Sequence, residues 1–204
     1  MLYYLHLLKD SSEWLDLLNL FFYQTFRAAG ACLTAFLISV VLGNRVILKL
    51  TSLKIGQPIR TKEEVHRLAE LHGIKTGTPT MGGILIVGSV LVSALLWARP
   101  TNPFIHSLVF ITITTGLLGF LDDYRKVTKK NSKGVSSRFK LVVQVGAAVI
   151  AVGYLYFLPE TSAYIRQLYL PSLKDPVVRD LGIFTLVLLP VVIVGASNAV
   201  NLTD

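Results

Sequence analysis

The sequence predicts an all-α integral membrane protein, a polytopic helical bundle with about five transmembrane helices in a single membrane domain over residues 1–204. The 204 residues are 52% hydrophobic and have a mean hydropathy of +0.59, which is too apolar for an ordinary soluble domain of this length. The apolar residues also form charge-free runs of roughly 17 residues or more, near the length that crosses about 30 Å of hydrocarbon. No run alternates with a period of two residues, which argues against an outer-membrane barrel.

The charge-free runs give the approximate positions of the predicted helices. They cover residues 28–44, 81–98, 100–121, 141–158 and 182–203. We therefore expect transmembrane helices at approximately 21–46, 80–98, 102–121, 140–158 and 181–200. The segment before the first run contains Asp10, Glu13 and Asp16 beside a single lysine. It therefore lacks the basic region of a cleavable signal peptide.

The net charge of +8 is unevenly distributed along the chain. Seven basic residues lie in the stretch 45–80, and seven more lie in the stretch 122–140. The positive-inside rule then puts both stretches in the cytoplasm, and it puts the N-terminus and the 159–181 loop outside. The same basic residues could serve only to orient the chain or to attract anionic lipid.

Two adjacent carboxylates, Asp122 and Asp123, directly follow the third apolar run. A carboxylate beside hydrocarbon is costly unless something compensates it, and a helix that ended here would direct the negative end of its dipole toward both. Lys126 lies four residues after Asp122 and three after Asp123, a spacing that favours an ion pair on one helix face. Such a pair explains one aspartate well, whereas Mg²⁺ or a phosphate-rich ligand accounts for both.

Two further polar segments lie at predicted cytoplasmic ends of helices. The stretch KTGTPTMGG, residues 75–83, leaves backbone N–H groups free where the second helix begins, and such groups bind anions. A turn into the membrane explains this stretch equally well. In ASNAVNLTD, residues 196–204, the polar residues Asn198, Asn201 and Asp204 recur every three positions. They would form one stripe on a helix, facing either a shared site or a neighbouring helix.

Four segments together resemble the phospho-N-acetylmuramoyl-pentapeptide transferases of bacterial cell-wall synthesis: KTGTPTMGG, GFLDDYRKV, NSKGVSSRFK and VGASNAVNLTD. The resemblance covers essentially the whole chain. It implies transfer of phospho-MurNAc-pentapeptide from UDP-MurNAc-pentapeptide to undecaprenyl phosphate, with Mg²⁺ as cofactor and with lipid I and UMP as products. It also implies a homodimer in the lipid of the bacterial inner membrane, an active site on the cytoplasmic face and no nucleic-acid partner.

The resemblance also implies roles for individual residues. Asp122 would be the general base for the lipid phosphate, or a nucleophile in a two-step reaction, and Asp123 would support the metal and the diphosphate. Both aspartates are expected close to Mg²⁺. The other implied roles are phosphate binding by Lys126 and Lys133, nucleotide contacts by Lys75 and Thr80, and substrate contacts by Asn198, Asn201 and Asp204, the last two lining the uridine pocket.

Members of this family are much longer, so we expect the chain to match their N-terminal half. A third, metal-binding aspartate and a histidine-rich loop are then expected beyond Asp204, and residues 1–204 alone are expected to be inactive. Two alternatives remain open, namely a related polyprenyl-phosphate sugar-1-phosphate transferase and a non-catalytic membrane fragment. A transporter is disfavoured because it predicts a charge in the middle of a transmembrane helix, and only Arg27, near one end, comes close.

Cysteine labelling tests the predicted orientation. The single native cysteine, Cys32, is first replaced by alanine, and Ser132→Cys and Ser162→Cys are made in that background. We expect Ser162→Cys to react with an impermeant thiol reagent outside intact cells, and Ser132→Cys to react only in opened cells, because basic loops stay in the cytoplasm. The reverse labelling pattern would contradict the orientation.

Overall fold

A computed structural model describes residues 1–11, 13–52, 81–129 and 134–203, and most of these residues are helical. Within these ranges there are six α-helices and three short 3₁₀ segments, at Leu2–Ser11, Glu13–Phe22 and Gly182–Phe184. The all-α prediction is confirmed. The helices are α1 (Gln24–Ser52), α2 (Gly83–Trp97), α3 (Pro103–Lys129), α4 (Ser137–Phe157), α5 (Pro159–Ile165) and α6 (Thr185–Thr203).

In the part of the chain that the structure describes, four helical segments are long and apolar enough to cross a membrane: Gln24–Leu50, Pro103–Thr128, Ser137–Phe157 and Gly182–Ala199. Helix α2 is also apolar but has 15 residues, which give about 22 Å of helix. That length is less than the roughly 30 Å of a hydrocarbon core, so the crossing expected at 80–98 stays a prediction. The apolar helices together identify an integral membrane protein, as the sequence predicts.

The exposed surface of these helices is rich in large apolar side chains. On α1, for example, Leu33, Phe36, Val40 and Val41 are 59% to 62% exposed. A surface of this kind is unfavourable in water. In a bilayer it faces lipid tails that are as apolar as the side chains themselves, so it carries no such penalty.

The chain divides into two compact units, of which the first contains Met1–Pro100 and Gly116–Ser136. In this unit α1 packs against α2, with the hydroxyl oxygens of Ser39 and Ser89 3.0 Å apart. A Cβ placed on Gly116 would lie 3.2 Å from Val87 Cγ1. Small residues at these contacts let the helices approach closely, which is how helices associate in membranes.

Trp97, the last residue of α2, attaches that helix to the beginning of α1. Its indole ring stacks on Phe21 and lies over Gly30, where a Cβ would be 2.5 Å from the ring atom Cη2. The indole Nε1 donates a hydrogen bond to Thr34 Oγ1 at 2.9 Å. Arg27 Nη1 donates to the carbonyl oxygen of Trp97 at 3.3 Å. Gly30 is therefore the residue that leaves room for this ring.

The second unit contains Thr101–Thr115 and Ser137–Asp204. Its core is formed by small and medium apolar side chains on one face of α4, which packs against α5 and α6. Ser107 Oγ donates to the carbonyl oxygen of Ala151 at 3.4 Å, which attaches the first turns of α3 to α4. The buried residues of α4 are Ala147, Ala148, Ala151, Val152 and Leu155. The prediction of one membrane domain over residues 1–204 stays a prediction.

The segment between α5 and α6 is closed by an ion pair. Arg166 Nε donates to Asp180 Oδ1 at 2.7 Å, and Nη2 of the same guanidinium contacts Oδ2. Asp180 Oδ1 also accepts the backbone N–H of Gly182 at 2.7 Å. The hydrogen bonds from Arg166, followed by the one from Gly182, lower the pKa of Asp180. Because the pair is exposed, its contribution to the free energy of folding is small.

Replacing Gly30 tests the packing of Trp97. We expect Gly30→Ala to lower the unfolding temperature of the protein in detergent, because the new methyl group meets a rigid indole ring and overpacking costs about 1–3 kcal/mol. Gly43→Ala on the same helix is the matched control, since its Cβ would lie 3.8 Å from Leu85 Cδ2, an ordinary contact. Equal unfolding temperatures for the two variants would show that the ring does not pack on Gly30.

Candidate active site

Helix α3 continues past the third apolar run and ends at Lys129. Asp122 and Asp123 therefore lie inside the helix, about two turns before its end. The expectation that a helix ends beside them is wrong, because arginine and lysine sustain a helix as well as most apolar residues do. Since the effect of the helix dipole fades within the last turn, it does not penalise these two carboxylates.

Lys126 contacts both aspartates from the next turn of α3. Its Nζ atom lies 2.8 Å from Asp122 Oδ2 and 3.4 Å from Asp123 Oδ1. These are the two ion pairs, separated by four and by three positions in the sequence, that the spacing predicts. One ammonium group thus serves both carboxylates, so a simple ion pair accounts for more of this motif than we expected from the sequence.

The two carboxylates differ in their surroundings. The side chain of Asp122 is 9% exposed, whereas those of Asp123 and Lys126 are each 37% exposed. Asp122 Oδ1 accepts the backbone N–H of Val135 at 2.7 Å, while Oδ2 faces Lys126. A buried carboxylate with a donor on each oxygen is held in one orientation. Asp123 is the carboxylate that remains accessible from solvent.

Gly134 allows the backbone after α3 to lie directly against Asp122. A Cβ built on Gly134 would overlap Asp122 Oδ1, and it would lie 2.7 Å from the carboxyl carbon of Asp122 and 3.0 Å from Lys126 Cε. Without a side chain at this position, the chain comes close enough for Val135 to donate its N–H. Sequence reasoning missed both residues, because a contact between segments so far apart in sequence leaves no periodic pattern. The signals that the sequence offered were the glycine within a lysine-rich stretch and the place of both residues in the segment NSKGVSSRFK.

Asn198 lies on α6, in the second unit. Its Nδ2 atom donates to Gln144 Oε1 at 2.9 Å and to the carbonyl oxygen of Val194 at 2.8 Å. Gln144 Nε2 in turn lies 3.4 Å from Ser197 Oγ. For Asn198, these bonds between α4 and α6 match the interhelical interpretation of the polar stripe. Sequence reasoning missed Gln144 because it is a single polar residue inside an apolar run.

The described part of the 75–83 stretch begins at Met81, which is buried. Its φ angle of 74° is in the left-handed region, which is uncommon for residues other than glycine. Helix α2 begins at Gly83, and the residue before it, Gly82, has no side chain that could cap the helix. The chain therefore turns into α2 at Met81 and Gly82, whereas the turn into the membrane and the anion site at this helix N-terminus stay predictions.

Known proteins share these segments with the chain. The family model described as glycosyl transferase family 4 matches residues 105–204, and signature 1 of phospho-N-acetylmuramoyl-pentapeptide-transferase matches residues 75–87. A phospho-N-acetylmuramoyl-pentapeptide-transferase from Methylacidiphilum infernorum is 45% identical over 204 residues, which is 100% of this chain and 55% of that relative. The chain belongs to the phospho-N-acetylmuramoyl-pentapeptide-transferase family.

Other transferases of the same name give the same result. One from Neisseria gonorrhoeae is 47% identical over 198 residues, covering 97% of this chain and 53% of the relative. One from Ruegeria pomeroyi is 45% identical over 205 residues, covering 100% of this chain and 54% of the relative. The chain therefore spans about half the length of the curated relatives that it matches. The family resemblance predicted from the sequence is confirmed.

In this transferase family member, the paired carboxylates provide ligands that suit a divalent cation. Mg²⁺ accepts carboxylate oxygens and keeps waters or phosphate oxygens at its other positions. Asp122 and Asp123 both carry carboxylate oxygens, and Asp123 is the more exposed of the two. Within the described ranges, no three His, Cys, Asp or Glu side chains come together as a metal site. The described residues would thus supply at most two carboxylates to one ion.

The structure brings together three of the predicted site residues, Asp122, Asp123 and Lys126. The roles of the other predicted site residues stay predictions. Asn198 is described only within the second unit. Outside the described residues lie Lys75, Thr80, Lys133 and Asp204, together with the labelling position Ser132 and the side chain of Asn201.

The unequal burial of the aspartates leads to a prediction about stability. We expect Asp122→Ala to destabilise the protein by about 1–3 kcal/mol, because it leaves the buried Val135 N–H without its acceptor. Asp123→Ala is the matched control, and we expect it to cost about 0.2–1 kcal/mol, the usual range for exposed ion pairs. Thermal unfolding in detergent measures both. A larger loss for Asp123→Ala would contradict the environments described here.

Proposed function

We propose that this chain is part of an enzyme that transfers phospho-MurNAc-pentapeptide from UDP-MurNAc-pentapeptide to undecaprenyl phosphate, giving lipid I and UMP. The observation that carries the proposal is the cluster of Asp122, Asp123 and Lys126 on a membrane-spanning helix, in a chain of this family. The names of the relatives support the nature of the transferred group. The reaction would take place in the bacterial inner membrane.

The position of the cluster suits a reaction between a soluble and a lipid-bound substrate. The apolar run ends at residue 121, directly before the cluster, the candidate membrane span Pro103–Thr128 ends just beyond Lys126, and basic residues follow it. A nucleotide-sugar from the cytoplasm and a phosphate anchored in the bilayer can meet at such a boundary. The positive-inside rule supports the cytoplasmic face. The homodimer implied by the family remains part of the proposal.

The chemistry follows from how each side chain is held. In phosphoryl transfer, a protein mainly positions the reactants and neutralises charge. Asp122, fixed by Val135 and Lys126, would accept the proton of the lipid phosphate as a general base, a role that requires hydrogen-bond reach and a defined orientation. The ammonium group of Lys126 would pair with phosphate oxygens. Mg²⁺, held by Asp123 together with Asp122, would neutralise the charge of the diphosphate.

Asp122→Asn tests the role of the buried carboxylate. The assay measures release of UMP that depends on undecaprenyl phosphate and Mg²⁺, using this chain joined to the remaining length of the Methylacidiphilum infernorum relative. The amide keeps the size of the side chain but is not basic, and we expect turnover to fall by about 10²–10⁴-fold, the contribution of a general base. Binding of UDP-MurNAc-pentapeptide should be largely retained.

Asp180→Asn is the matched control for this experiment. Asp180 also belongs to an ion pair with a basic residue, but it lies in the loop between α5 and α6, to which we assign no chemistry. Turnover of this variant should equal that of the unsubstituted enzyme. Turnover near the unsubstituted level in Asp122→Asn would leave Asp122 as an ion-pair partner only. Absence of any UMP release from the unsubstituted enzyme would contradict the proposed function itself.

A further inference from the structure

We infer that Gly134 is a positioning residue for the transfer step, because its lack of a side chain lets the backbone at Val135 fix the carboxylate of Asp122. The inference rests on the proposed function, in which Asp122 is the base. Residue 134 would have to be glycine because a side chain there would take the space beside the Asp122 carboxylate. The residue itself would touch neither substrate.

The evidence is the closeness of Gly134 to the carboxylate. A Cβ at this position would lie 2.7 Å from Asp122 Cγ and would overlap Oδ1, the oxygen that accepts the Val135 N–H. Val135 is 8% exposed and Asp122 is 7% exposed, so donor and acceptor are both enclosed. Any side chain at residue 134 would have to occupy the space that the carboxylate fills.

The backbone conformation does not require glycine at this position. Among the described glycines, the one with positive φ is Gly182, so alanine at residue 134 meets no penalty of the left-handed region. The requirement is therefore steric. It differs from the more frequent reason for a glycine in a loop, which is a backbone conformation that other residues rarely adopt.

The identity of the contacted atoms determines what a substitution would disturb. The atoms that a new Cβ meets are the carboxylate of Asp122 and Cε of Lys126, both near the ends of side chains. These ends can move without any shift of the α3 backbone, so the fold can absorb the change. The carboxylate would then lose its place between Val135 and Lys126. A misplacement of about 1 Å at a reacting group can cost about 10²-fold in rate.

The experiment compares Gly134→Ala with Gly119→Ala in the joined enzyme of the turnover assay. Gly119 is the matched control because it lies on α3, one turn before Asp122, and a Cβ there has no atom within 4 Å. We expect Gly134→Ala to lower kcat by about 10²-fold while KM for UDP-MurNAc-pentapeptide stays close to the unsubstituted value. The unfolding temperature should fall by no more than it does in Asp122→Ala, because both changes take the same acceptor from the Val135 N–H. Gly119→Ala should change none of the three.

A double substitution separates a positioning role from a general structural one. If Gly134 acts through the carboxylate, adding Gly134→Ala to Asp122→Asn should reduce the residual rate little further, since residues that act as one unit are not additive. Fully additive losses would overturn the inference, as would a Gly134→Ala enzyme with unchanged kcat. An unsubstituted enzyme without activity would instead overturn the proposed function, and this inference with it.

Asp122→Glu keeps the test decisive if Gly134→Ala does not fold. The longer side chain retains the negative charge and can still reach Lys126, but Gly134 and Val135 leave its carboxylate no room at the original place. We expect a loss of kcat comparable to that of Gly134→Ala, with substrate binding retained. Turnover within the range of the unsubstituted enzyme would show that the position fixed by Gly134 does not matter.

Discussion

A charged side chain buried beside hydrocarbon must be compensated, and Asp122 is the residue on which this constraint falls. Donors of different origin contribute to this compensation, and two of them lie among the described residues. Lys126 comes from the same helix and is brought there by the helical repeat alone. The Val135 N–H comes from the backbone beyond α3 and depends on the close approach that Gly134 allows. Helix α3 thus supplies one part of the compensation, and the backbone at Val135 supplies another.

The same arrangement gives the two neighbouring aspartates different capacities. Asp122 is enclosed and oriented, which suits a group that must meet one atom of a substrate. Asp123 is more exposed and makes a longer contact with Lys126, which suits a group that exchanges this contact for a metal ion or for water. The sequence shows two identical side chains side by side. Their difference arises because successive helix positions are separated by about 100° around the axis, so one faces the protein and the other does not.

The sequence predicts what depends on local or periodic patterns. Hydropathy locates the apolar helices, helix periodicity pairs Asp122 with Lys126, and the polar motifs identify the family. The predicted helix end is wrong where the end of an apolar run is taken as the end of a helix. Helix α3 continues to Lys129 after its apolar run has ended. Sequence reasoning also misses contacts between distant segments, such as Gly134 with Asp122 and Gln144 with Asn198. Those contacts are set by tertiary packing, which leaves no pattern in a single sequence.

Two glycines of the first unit show that close approach can serve either stability or chemistry. Both Gly30 and Gly134 leave room for a neighbouring side chain. At Gly30 the neighbour is an indole ring that stacks on Phe21 and is hydrogen-bonded to Thr34, and these contacts hold the ring in its position. At Gly134 the neighbour is a carboxylate, which can rotate away without disturbing the backbone. The rigidity of the neighbouring group therefore decides whether the glycine protects the packing of the helices or the placement of a reactive group.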